Sequence, residues 1–442
     1  MSKTLPKGHK KLLNAWAFYD WANSVYNLTI SSAIFPIFWG ALTIIRDDQD
    51  HIISDTVRFF GYDFNNDSLI SYVTALAFLV VSCISPLLSG IADYVGNKKN
   101  FLKFFCYLGA LSCIGLYWFS LEFLWFGLLC YFLALIGFWA SLVFYNSYLP
   151  DIAFPEQQDA ISAKGFSMGY IGSVLLLIIN LIMILKFEWF GFEDEGTPTR
   201  LSFVMVGVWW IGFSQYTYYY LPKGNKKDVL TKAVLFNGFK ELKTIWNKLQ
   251  SNLKLRRYLS AFFVYSMAVQ TIMLIATYFG IEELDWGEQN ATTGLIISIL
   301  LIQLVAVVGA TLTSRASSKF GNIRTLIAIN MIWIGICIYA YTITTPFQFY
   351  IAAAIVGLVM GGIQALSRST YSKLLPENAV DTASYFSFYD VSEKIGIVIG
   401  MFSYGIIAQL TGSVRYSILF LILFFVIGLF LLYRIPNRNA QG

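Results

Sequence analysis

Long apolar stretches alternate with short polar loops along the whole chain. Each stretch contains about 20 predominantly apolar residues, the length at which an α-helix crosses a bilayer. The pattern therefore predicts an all-α, multi-pass integral membrane protein. The twelve predicted transmembrane helices lie at residues 15–45, 68–91, 101–121, 123–149, 160–185, 201–221, 258–280, 290–314, 323–343, 347–372, 382–411 and 415–434.

The largest break in this pattern, residues 222–257, separates six predicted spans from six. It contains ten basic and two acidic residues, and it divides the chain into an N-terminal half at 1–221 and a C-terminal half at 258–442. Apolar residues recur in the break at steps of three and four, flanked by lysines, which predicts a basic amphipathic helix lying on the inner leaflet. A site for a regulatory partner is the alternative. The apolar positions are Leu235, Phe239, Leu242, Trp246, Leu249 and Leu253.

The two halves repeat one another in sequence. "ADYVGNKKNFL" after the second span matches "SSKFGNIRTLI" after the eighth, and "NSYLPD" after the fourth matches "SKLLPE" after the tenth. Gly96 and Gly321 are 225 positions apart, and Pro150 and Pro376 are 226 apart. Two agreeing offsets near half the chain length predict two six-helix halves repeated in parallel, the architecture of major facilitator transporters.

Composition and charge restrict the function classes. The 442 residues are 57% apolar and 13% charged, which excludes an ordinary soluble domain. With both termini on the cytoplasmic side, the inner segments carry 25 of the 31 Lys and Arg residues. This asymmetry predicts cytoplasmic termini, in the inner membrane if the protein is bacterial. The net charge of +5 therefore reflects a basic inner face, and we expect no nucleic-acid partner.

The first predicted span carries a polar stripe on one side. Asp20, Asn23, Ser24, Asn27 and Ser31 fall on the same face at 100° per residue. A charge at the bilayer centre costs roughly 2.5–3.5 kcal/mol on insertion scales, so this face should meet protein or water. We predict that Asp20, Asn23 and Asn27 line a substrate path.

The tenth span has a second polar face. "GGIQALSRSTYSK" places Gln364, Ser367, Arg368 and Tyr371 at i, i+3, i+4 and i+7. Arg368 can hold a carboxylate with two hydrogen bonds, or it can pair with Asp381 or a helix end near the cytoplasm. The first alternative makes Gln364 and Arg368 substrate-binding residues. The fourth span adds two further candidates, Tyr145 and Asn146.

The eleventh span concentrates three charges within "SFYDVSEKIG". Asp390 and Lys394 are i and i+4, so they can pair on one face. One cation beside two carboxylates leaves one acid in excess, and Glu393 is the strongest candidate for carrying a proton. A neutralised structural pair is the alternative, because intramembrane charges also stabilise helix packing. We predict proton coupling through Asp20, Asp390, Glu393 and Lys394.

Several segments resemble those of a known family. "SGIADYVGNKKNF" is similar to the loop signature of the major facilitator superfamily, which implies a gating loop at Asp93, Gly96, Lys98 and Lys99. "FYDWANSVYN", "FYNSYLPDIAFPEQQDAISAKGFSMGY" and "GGIQALSRSTYSKLLPENAVDTASYFSFYDVSEKIG" resemble the vacuole-effluxer-like branch of that superfamily, whose fungal members are autophagy-related vacuolar amino-acid exporters. The resemblance runs from the first span to the twelfth.

The resemblance implies a twelve-helix secondary transporter of a small solute, such as a neutral amino acid. The sequence departs from the family pattern in the seventh span. There "YSMAVQT" puts Met267 and Ala268 where relatives tend to carry Asp and Gly. Glu393 also stands where relatives more often carry Gly. These departures imply a difference in ion coupling or in substrate.

Signatures of other classes are missing from the sequence. No G-x4-GK[ST] phosphate loop is present, and the histidines, His9 and His51, lie in a tail and a loop. We therefore expect no enzyme activity, no cofactor, no metal site and a monomer whose partners are membrane lipid and a small, zwitterionic substrate. Two other functions remain open. One is a non-transporting receptor or scaffold that signals through 222–257, and the other is a drug or lipid extruder with a wide, apolar cavity.

Overall fold

Long α-helices account for almost all of the described chain. The computed structural model of the protein describes residues 5–47, 52–224, 232–286, 291–376 and 379–436. Helices α1 to α6 span Lys10–Thr43, Asn66–Val95, Lys98–Trp118, Leu124–Ile152, Pro155–Leu185 and Gly196–Tyr220. Helix α7 spans Lys232–Ser251. Helices α8 to α13 span Leu253–Glu282, Ala291–Phe320, Asn322–Thr342, Pro346–Leu374, Thr382–Thr411 and Val414–Tyr433.

The described helices match the predicted spans in number and place. Eleven of them are long and apolar enough to cross a membrane. The remaining predicted span, 201–221, corresponds to the 25-residue helix α6, which is not among these eleven. The described residues thus form six long helices on each side of α7.

The loop between α1 and α2 departs from the all-α prediction. It contains two antiparallel pairs, β1 (Ile45–Arg46) with β2 (Ile52–Ser54) and β3 (Thr56–Phe59) with β4 (Tyr62–Asn65). A Phe60–Gly61 turn with positive φ angles of 49° and 86° joins β3 to β4. The backbone of such a turn matches the twist of two antiparallel strands, so this part of the loop forms a β-hairpin. Predicted loop residues 48–51 lie outside the described residues.

Helix α1 widens in its middle. Residues Tyr26–Ala33 are π-helical, with α-helix on either side. Within this stretch the Ser32 hydroxyl donates to the Asn27 carbonyl oxygen at 3.0 Å. π-helical turns recur at functional sites, and this one begins directly after the predicted polar residues Asp20 and Asn23.

Most of the apolar core falls into two large clusters that follow the sequence repeat. One is built from residues between Leu12 and Leu221, and the other from residues between Ile245 and Ile435, with few exchanges between them. Between the halves, α5 packs against α9 and α11, and α12 packs against α2 and α4. The halves therefore meet along a small set of helices, which leaves a space between them.

Helix α7 packs against protein. Its Ile245 and Leu249 are buried in the core cluster of the second half, and the helix contacts both α2 and α12. The ring of Trp246 lies 5.6 Å from that of Phe388 in α12. The predicted helix within 222–257 is present, but this packed side differs from a helix resting only on lipid. Residues 225–231, and the side chains of Leu235 and Phe239, lie outside what the structure describes.

The two ends of the helix bundle differ in charge. Helix α1 begins at one end of the bundle. The same end holds α7 and the α2–α3, α4–α5, α9–α10 and α11–α12 turns. We call it the basic end, because it holds most of the Lys and Arg residues. The opposite, acidic end holds the α1–α2 loop and the 186–195 loop. Together the predicted outer loops 46–67 and 186–200 carry ten acids and four basic residues.

Candidate functional site

A cavity of about 250 Å³ lies between the two halves. Helices α1, α4 and α5 contribute residues from the first half, and α8, α11 and α12 contribute residues from the second. Its polar and charged lining residues include Asp20, Asn23, Asn27, Asn146, Gln270, Gln364, Arg368 and Glu393. The sequence predicted all of these except Gln270, so positions far apart in the chain meet in one space.

An ion pair between the halves forms the floor of this cavity toward the basic end. Arg368 Nη2 lies 3.3 Å from Asp20 Oδ2, and both side chains are nearly buried, with exposed fractions of 4% and 6%. Arg368 is six residues before the end of α11 at Leu374, which places the pair near that end of the helix. The alternative pairing of Arg368 with Asp381 is wrong, because Asp381 contacts Lys248 of α7 at 3.3 Å.

Every N–H group of Arg368 has an acceptor in the first half. Nε donates to Ser162 Oγ and Nη2 to the Ser162 carbonyl oxygen, both at 3.0 Å. Nη1 donates to Asn146 Oδ1 at 3.1 Å, and Nη1 and Nη2 both donate to Asp20 Oδ2, at 3.4 and 3.3 Å. A guanidinium has five N–H donors, and these contacts use all five. Arg368 is thus a cross-half tie as well as a cavity residue.

Aromatic rings surround the same guanidinium. Its Cζ lies 4.2 Å from the ring centre of Phe166, 4.8 Å from Trp16 and 5.5 Å from Tyr145. Trp16 stacks on Tyr145 with a centroid distance of 4.6 Å and is fully buried, so it is no interfacial anchor. Cation–π attraction strengthens when water is excluded, and these rings therefore hold the charge in place.

A glycine in α5 makes room for the ion pair. A Cβ atom on Gly165 would overlap Asp20 Oδ2 and lie 3.2 Å from both Arg368 Nη2 and the Tyr145 hydroxyl. Only hydrogen fits between α5 and these polar groups. Tyr145 itself is buried and donates to Asp20 Oδ2 at 2.8 Å, so it acts on Asp20 from behind the cavity wall.

The neutral polar residues line the cavity above the pair. Gln364 Oε1 accepts from the Tyr170 hydroxyl at 2.7 Å. Asn23 Oδ1 accepts from Ser24 at 3.3 Å, whereas its Nδ2 is buried with no hydrogen-bond partner among the described residues. Asn27 lines the cavity and is exposed. Unmet donors and exposed amides in this wall are groups that a polar ligand can bind.

The charged cluster of α12 divides between two faces. Lys394 pairs with Asp390, as the i, i+4 spacing predicted, and both are buried. The Lys394 ammonium lies 4.4 Å from the ring centre of Trp139 in α4. Glu393 instead faces the cavity and accepts from Gln270 Nε2 of α8 at 2.7 Å. The pair is therefore internal, and Glu393 is the acid that a solute or proton in the cavity can reach.

A second, apolar cavity of about 130 Å³ opens beside the first in the second half. The two cavities share lining residues, which are Leu28, Ser32, Met273 and Gln303. Most of the second lining is aliphatic or aromatic, including Ile302, Phe349, Ala353 and Val356. A polar space bounded by opposite charges is thus continuous with an apolar pouch.

The predicted gating loop lies between the halves at the basic end. Asp93 accepts from the backbone N–H groups of Ser384 and Ala383, at 2.7 and 3.3 Å, at the first turn of α12. Lys98 pairs with Asp151 and donates to Thr382 Oγ1 at 2.6 Å. The loop therefore holds the start of α12 against the first half.

The other two loop residues act within the first half. Gly96 ends α2 with φ of 66°, a left-handed conformation that glycine adopts readily. Lys99 is buried and donates to the Leu221 carbonyl oxygen at 2.7 Å. Lys99 therefore ties α3 to the end of α6 and does not reach the second half.

A second tie at the basic end was not predicted. Asp159 of α5 accepts from Lys373 at 2.6 Å, from Asn322 at 2.9 Å and from Ser317 at 3.0 Å, all in the second half. Asn322 belongs to "SSKFGNIRTLI", the sequence repeat of the gating loop. In the first tie the acid is on the loop, and in the second it is on the facing helix. The repeat signal marked this loop, but the partner helix was not evident from sequence.

Other residues of the site also escaped prediction. Ser162 holds Arg368 and Gln270 holds Glu393, yet a lone serine or glutamine in an apolar span carries no pattern of its own. Both lie in segments quoted above, "FPEQQDAISAKGFSMGY" and "YSMAVQT", which was the available signal. Met267 packs near Gly396 of α12, on the side of α8 that faces α12.

Solved transporters share this architecture. The protein superposes on FucP, a major facilitator transporter in the outward conformation, with a TM-score of 0.70 at 14% identity over 97% of this chain and 98% of FucP. It also superposes on the proton:xylose symporter XylE, with a TM-score of 0.68 at 11% identity over 96% and 95%. The fold is therefore that of the major facilitator superfamily.

Sequence relatives define the family within that class. The family described as "Vacuole effluxer Atg22 like" matches residues 8–441, and the chain belongs to it. "Uncharacterized MFS-type transporter YxiO" of Bacillus subtilis is 30% identical over 98% of this chain and 97% of the relative. "Autophagy-related protein 22" of Kluyveromyces lactis is 24% identical over 97% and 94%. The resemblance identified from the sequence segments is confirmed.

Proposed function

We propose that the protein is a secondary active transporter that moves a small zwitterion, specifically a neutral amino acid, by alternating access. The observation that carries this proposal is the Asp20–Arg368 pair. It joins the two halves at the floor of the cavity, with one charge from each half. Rocking the halves apart at this end separates the charges, and a solute carrying both charges can take their place.

A zwitterion fits this pair because it leaves no buried charge unmatched. Its carboxylate takes the place of Asp20 at Arg368, and its ammonium takes the place of Arg368 at Asp20. An unpaired charge in such a site costs several kcal/mol. Asn23, Asn27, Asn146, Gln364 and, through Asp20, Tyr145 supply the neutral hydrogen bonds.

The adjoining apolar pouch supports a substrate with an apolar side chain. A sugar presents hydroxyl groups on all sides, and these would lose hydrogen bonds against Ile302, Phe349 and Val356. An amphiphilic drug would fit the pouch but would leave the Asp20–Arg368 pair without a function in binding. The combination of a charged floor and an apolar side space favours an amino acid over both.

We further propose that transport is proton-coupled and that Glu393 carries the proton. Glu393 is the cavity acid of α12, and it faces Gln270 and, at the cavity wall, Tyr265 and Tyr389. The adjacent Lys394 is already neutralised by Asp390. A protonated Glu393 keeps a hydrogen bond to Gln270, so both charge states are accommodated.

The remaining assignments concern the whole chain. We propose that the basic end is cytoplasmic, so that both termini face inward, that 222–257 links halves at 1–221 and 258–442, and that the protein acts as a monomer. The ties of Asp93, Lys98 and Asp159 at the basic end then belong to a state closed toward the cytoplasm. Helix α7 spans the same end and contacts a helix of each half.

Flux and binding measurements test the substrate assignment. Purified protein in lipid vesicles is assayed for counterflow of neutral amino acids, sugars and nucleosides, and binding is measured by calorimetry. We expect amino-acid counterflow and a loss of affinity of at least about tenfold, or 1.4 kcal/mol, in Arg368→Ala. Arg368→Lys should lose less, because its ammonium keeps the charge without the two-pronged geometry.

The controls separate binding from folding. Each variant is first checked by thermal unfolding, because removing one partner of a buried ion pair costs about 3–5 kcal/mol. Wild-type affinity in folded Arg368→Ala protein would refute the substrate assignment. Absence of flux for every solute from well-folded wild-type protein would instead favour the receptor or scaffold alternative.

A further inference from the structure

Asp20 and a ligand's carboxylate have to use the same guanidinium. Building on the function proposed above, we infer that Asp20 is a specificity-determining residue that admits zwitterions and rejects small carboxylates lacking a cationic group. In the structure, Asp20 occupies the position on Arg368 that a bound carboxylate takes.

The contacts of Arg368 are unequal, and Asp20 is the partner that can be exchanged. The bonds to Ser162 and Asn146 are 3.0, 3.0 and 3.1 Å long. Those to Asp20 are the longest, at 3.3 and 3.4 Å, and both use the single oxygen Oδ2. A free carboxylate in the cavity can use two oxygens in the parallel geometry that makes arginine–carboxylate pairs strong. Before the halves rock apart at this end, Arg368 stays tethered to Ser162 and Asn146 while its anion is replaced.

Displacement leaves Asp20 with little compensation. Among the described residues, its remaining side-chain partner is the neutral Tyr145 hydroxyl at 2.8 Å, and the Asp20 side chain is only 6% exposed. A carboxylate in such surroundings needs a counter-charge to remain ionised at low free-energy cost. The ligand has to bring that counter-charge with it.

Among its described lining residues, the cavity offers no second cation for the displaced acid. Among the described residues that line it, the charged ones are Asp20, Arg368 and Glu393, which makes two acids and one base. A carboxylate without a cationic group would raise the number of anions in the cavity to three, which are Asp20, Glu393 and the ligand, beside one guanidinium. A zwitterion adds one charge of each sign, so its ammonium can pair with Asp20 while its carboxylate pairs with Arg368. Rejection through an unpaired charge discriminates more sharply than a difference in apolar contact.

Ligand pairs that differ only in the ammonium group test this inference. Alanine and propanoate, leucine and 4-methylpentanoate, and phenylalanine and 3-phenylpropanoate are compared by calorimetry on the full-length protein in lipid nanodiscs. In the wild type, the carboxylate of at least one pair should bind at least about tenfold more weakly than its amino acid. In Asp20→Asn, that carboxylate should gain at least about tenfold in affinity, so that the preference shrinks or reverses.

Charge-matched variants are the controls. Asp20→Glu keeps the negative charge and should keep the preference for the amino acid. Asp20→Ser, a second neutral variant, replaces Asp20→Asn if the latter fails to fold. Asp67→Asn makes the same acid-to-amide change at an exposed position at the start of α2 and should leave both affinities unchanged.

The outcomes distinguish this inference from the function on which it rests. If the wild type binds an amino acid but the neutral Asp20 variants reject its carboxylate as strongly as before, the inference is wrong and the proposed substrate class stands. Equal binding of both members of every pair that the wild type binds also overturns the inference. If the wild type binds no member of any pair, the proposed substrate class fails and the inference fails with it.

Discussion

Single residues at the floor of the cavity combine two tasks. Arg368 donates all five of its N–H groups to acceptors in the first half, so it joins the two halves. Its guanidinium also lines the cavity as a cation. Asp20 is its counter-charge. Close packing makes this double use possible, because Gly165 lets α5 approach the pair without a side chain.

Gly165→Ala tests that close packing. The added methyl group overlaps Asp20 Oδ2 and crowds Arg368 Nη2 and the Tyr145 hydroxyl, so either the pair separates or α5 shifts. We expect affinity for the transported amino acid to fall by about tenfold, or 1.4 kcal/mol, measured by calorimetry. Gly212→Ala in α6 has open space around its Cβ position and is the matched control. Unchanged affinity in Gly165→Ala would show that the ion pair does not set binding.

At the scale of one element, α12 separates structural charge from accessible charge. Asp390 and Lys394 lie one helical turn apart and pair inside the protein, with Lys394 over Trp139. Glu393 is adjacent in sequence but faces the cavity and Gln270. Because successive residues of a helix are 100° apart, three charges within five positions serve two different surfaces.

The coupling prediction follows from this division. Glu393→Gln keeps a hydrogen-bonding side chain but cannot exchange a proton, so we expect vesicles to lose accumulation against a gradient and to keep counterflow. Both are measured with the same labelled amino acid, with and without an imposed pH gradient. Asp390→Asn removes the negative charge that pairs with Lys394. It should instead lower the free energy of unfolding by about 3–5 kcal/mol, the cost of breaking a buried ion pair. Proton-driven accumulation at the wild-type level in Glu393→Gln would exclude Glu393 as the carrier.

On the scale of the whole molecule, the ties between the halves described here concentrate at the basic end. Asp93 holds the start of α12, Asp159 holds the α9–α10 turn through Asn322, and Arg368 holds α1, α4 and α5. The ties of Asp93 and Asp159 involve the two loops that correspond in the sequence repeat. In the first tie the acid belongs to the repeated segment itself, and in the second it belongs to the helix that faces the repeated segment. In the alternating access proposed above, opening the basic end requires these ties to break, so the proposal implies that each tie stabilises the state closed at that end.

Membrane orientation is tested by labelling from one side. Cys83 is exposed and the other four cysteines are buried, so single cysteines are placed in a Cys83→Ser background. Tyr62→Cys in the α1–α2 loop should react with an impermeant maleimide in intact cells. Asn247→Cys on α7 should react only after the cells are opened. Reaction of Asn247→Cys in intact cells would reverse the proposed orientation.

The sequence by itself determined the features that depend on local geometry. Span number followed from apolar length, the polar faces of α1 and α11 followed from the 100° step, and the Asp390–Lys394 pair followed from i, i+4 spacing. The repeat of Gly96 at Gly321 predicted two parallel halves. These features need only neighbours within a few residues, or comparison of the chain with itself, so the linear pattern contains them. The hairpins before α2 are the local exception, because their strands are only 2 to 4 residues long and too short to show an alternating pattern.

Only the tertiary structure decided which distant groups meet. Asp20 and Arg368 are 348 positions apart, and the sequence alone left a ligand, Asp381 and a helix end open as partners of Arg368. Ser162 and Asp159 contact their partners across the two halves. Gln270 contacts Glu393 through the packing of α8 against α12 within the second half, and the contact of Lys99 stays within the first half. The physical reason is that the partner of a buried side chain depends on how the helices pack against one another and on which charged groups that packing buries together. The residues that flank a side chain in the sequence contain no information about either.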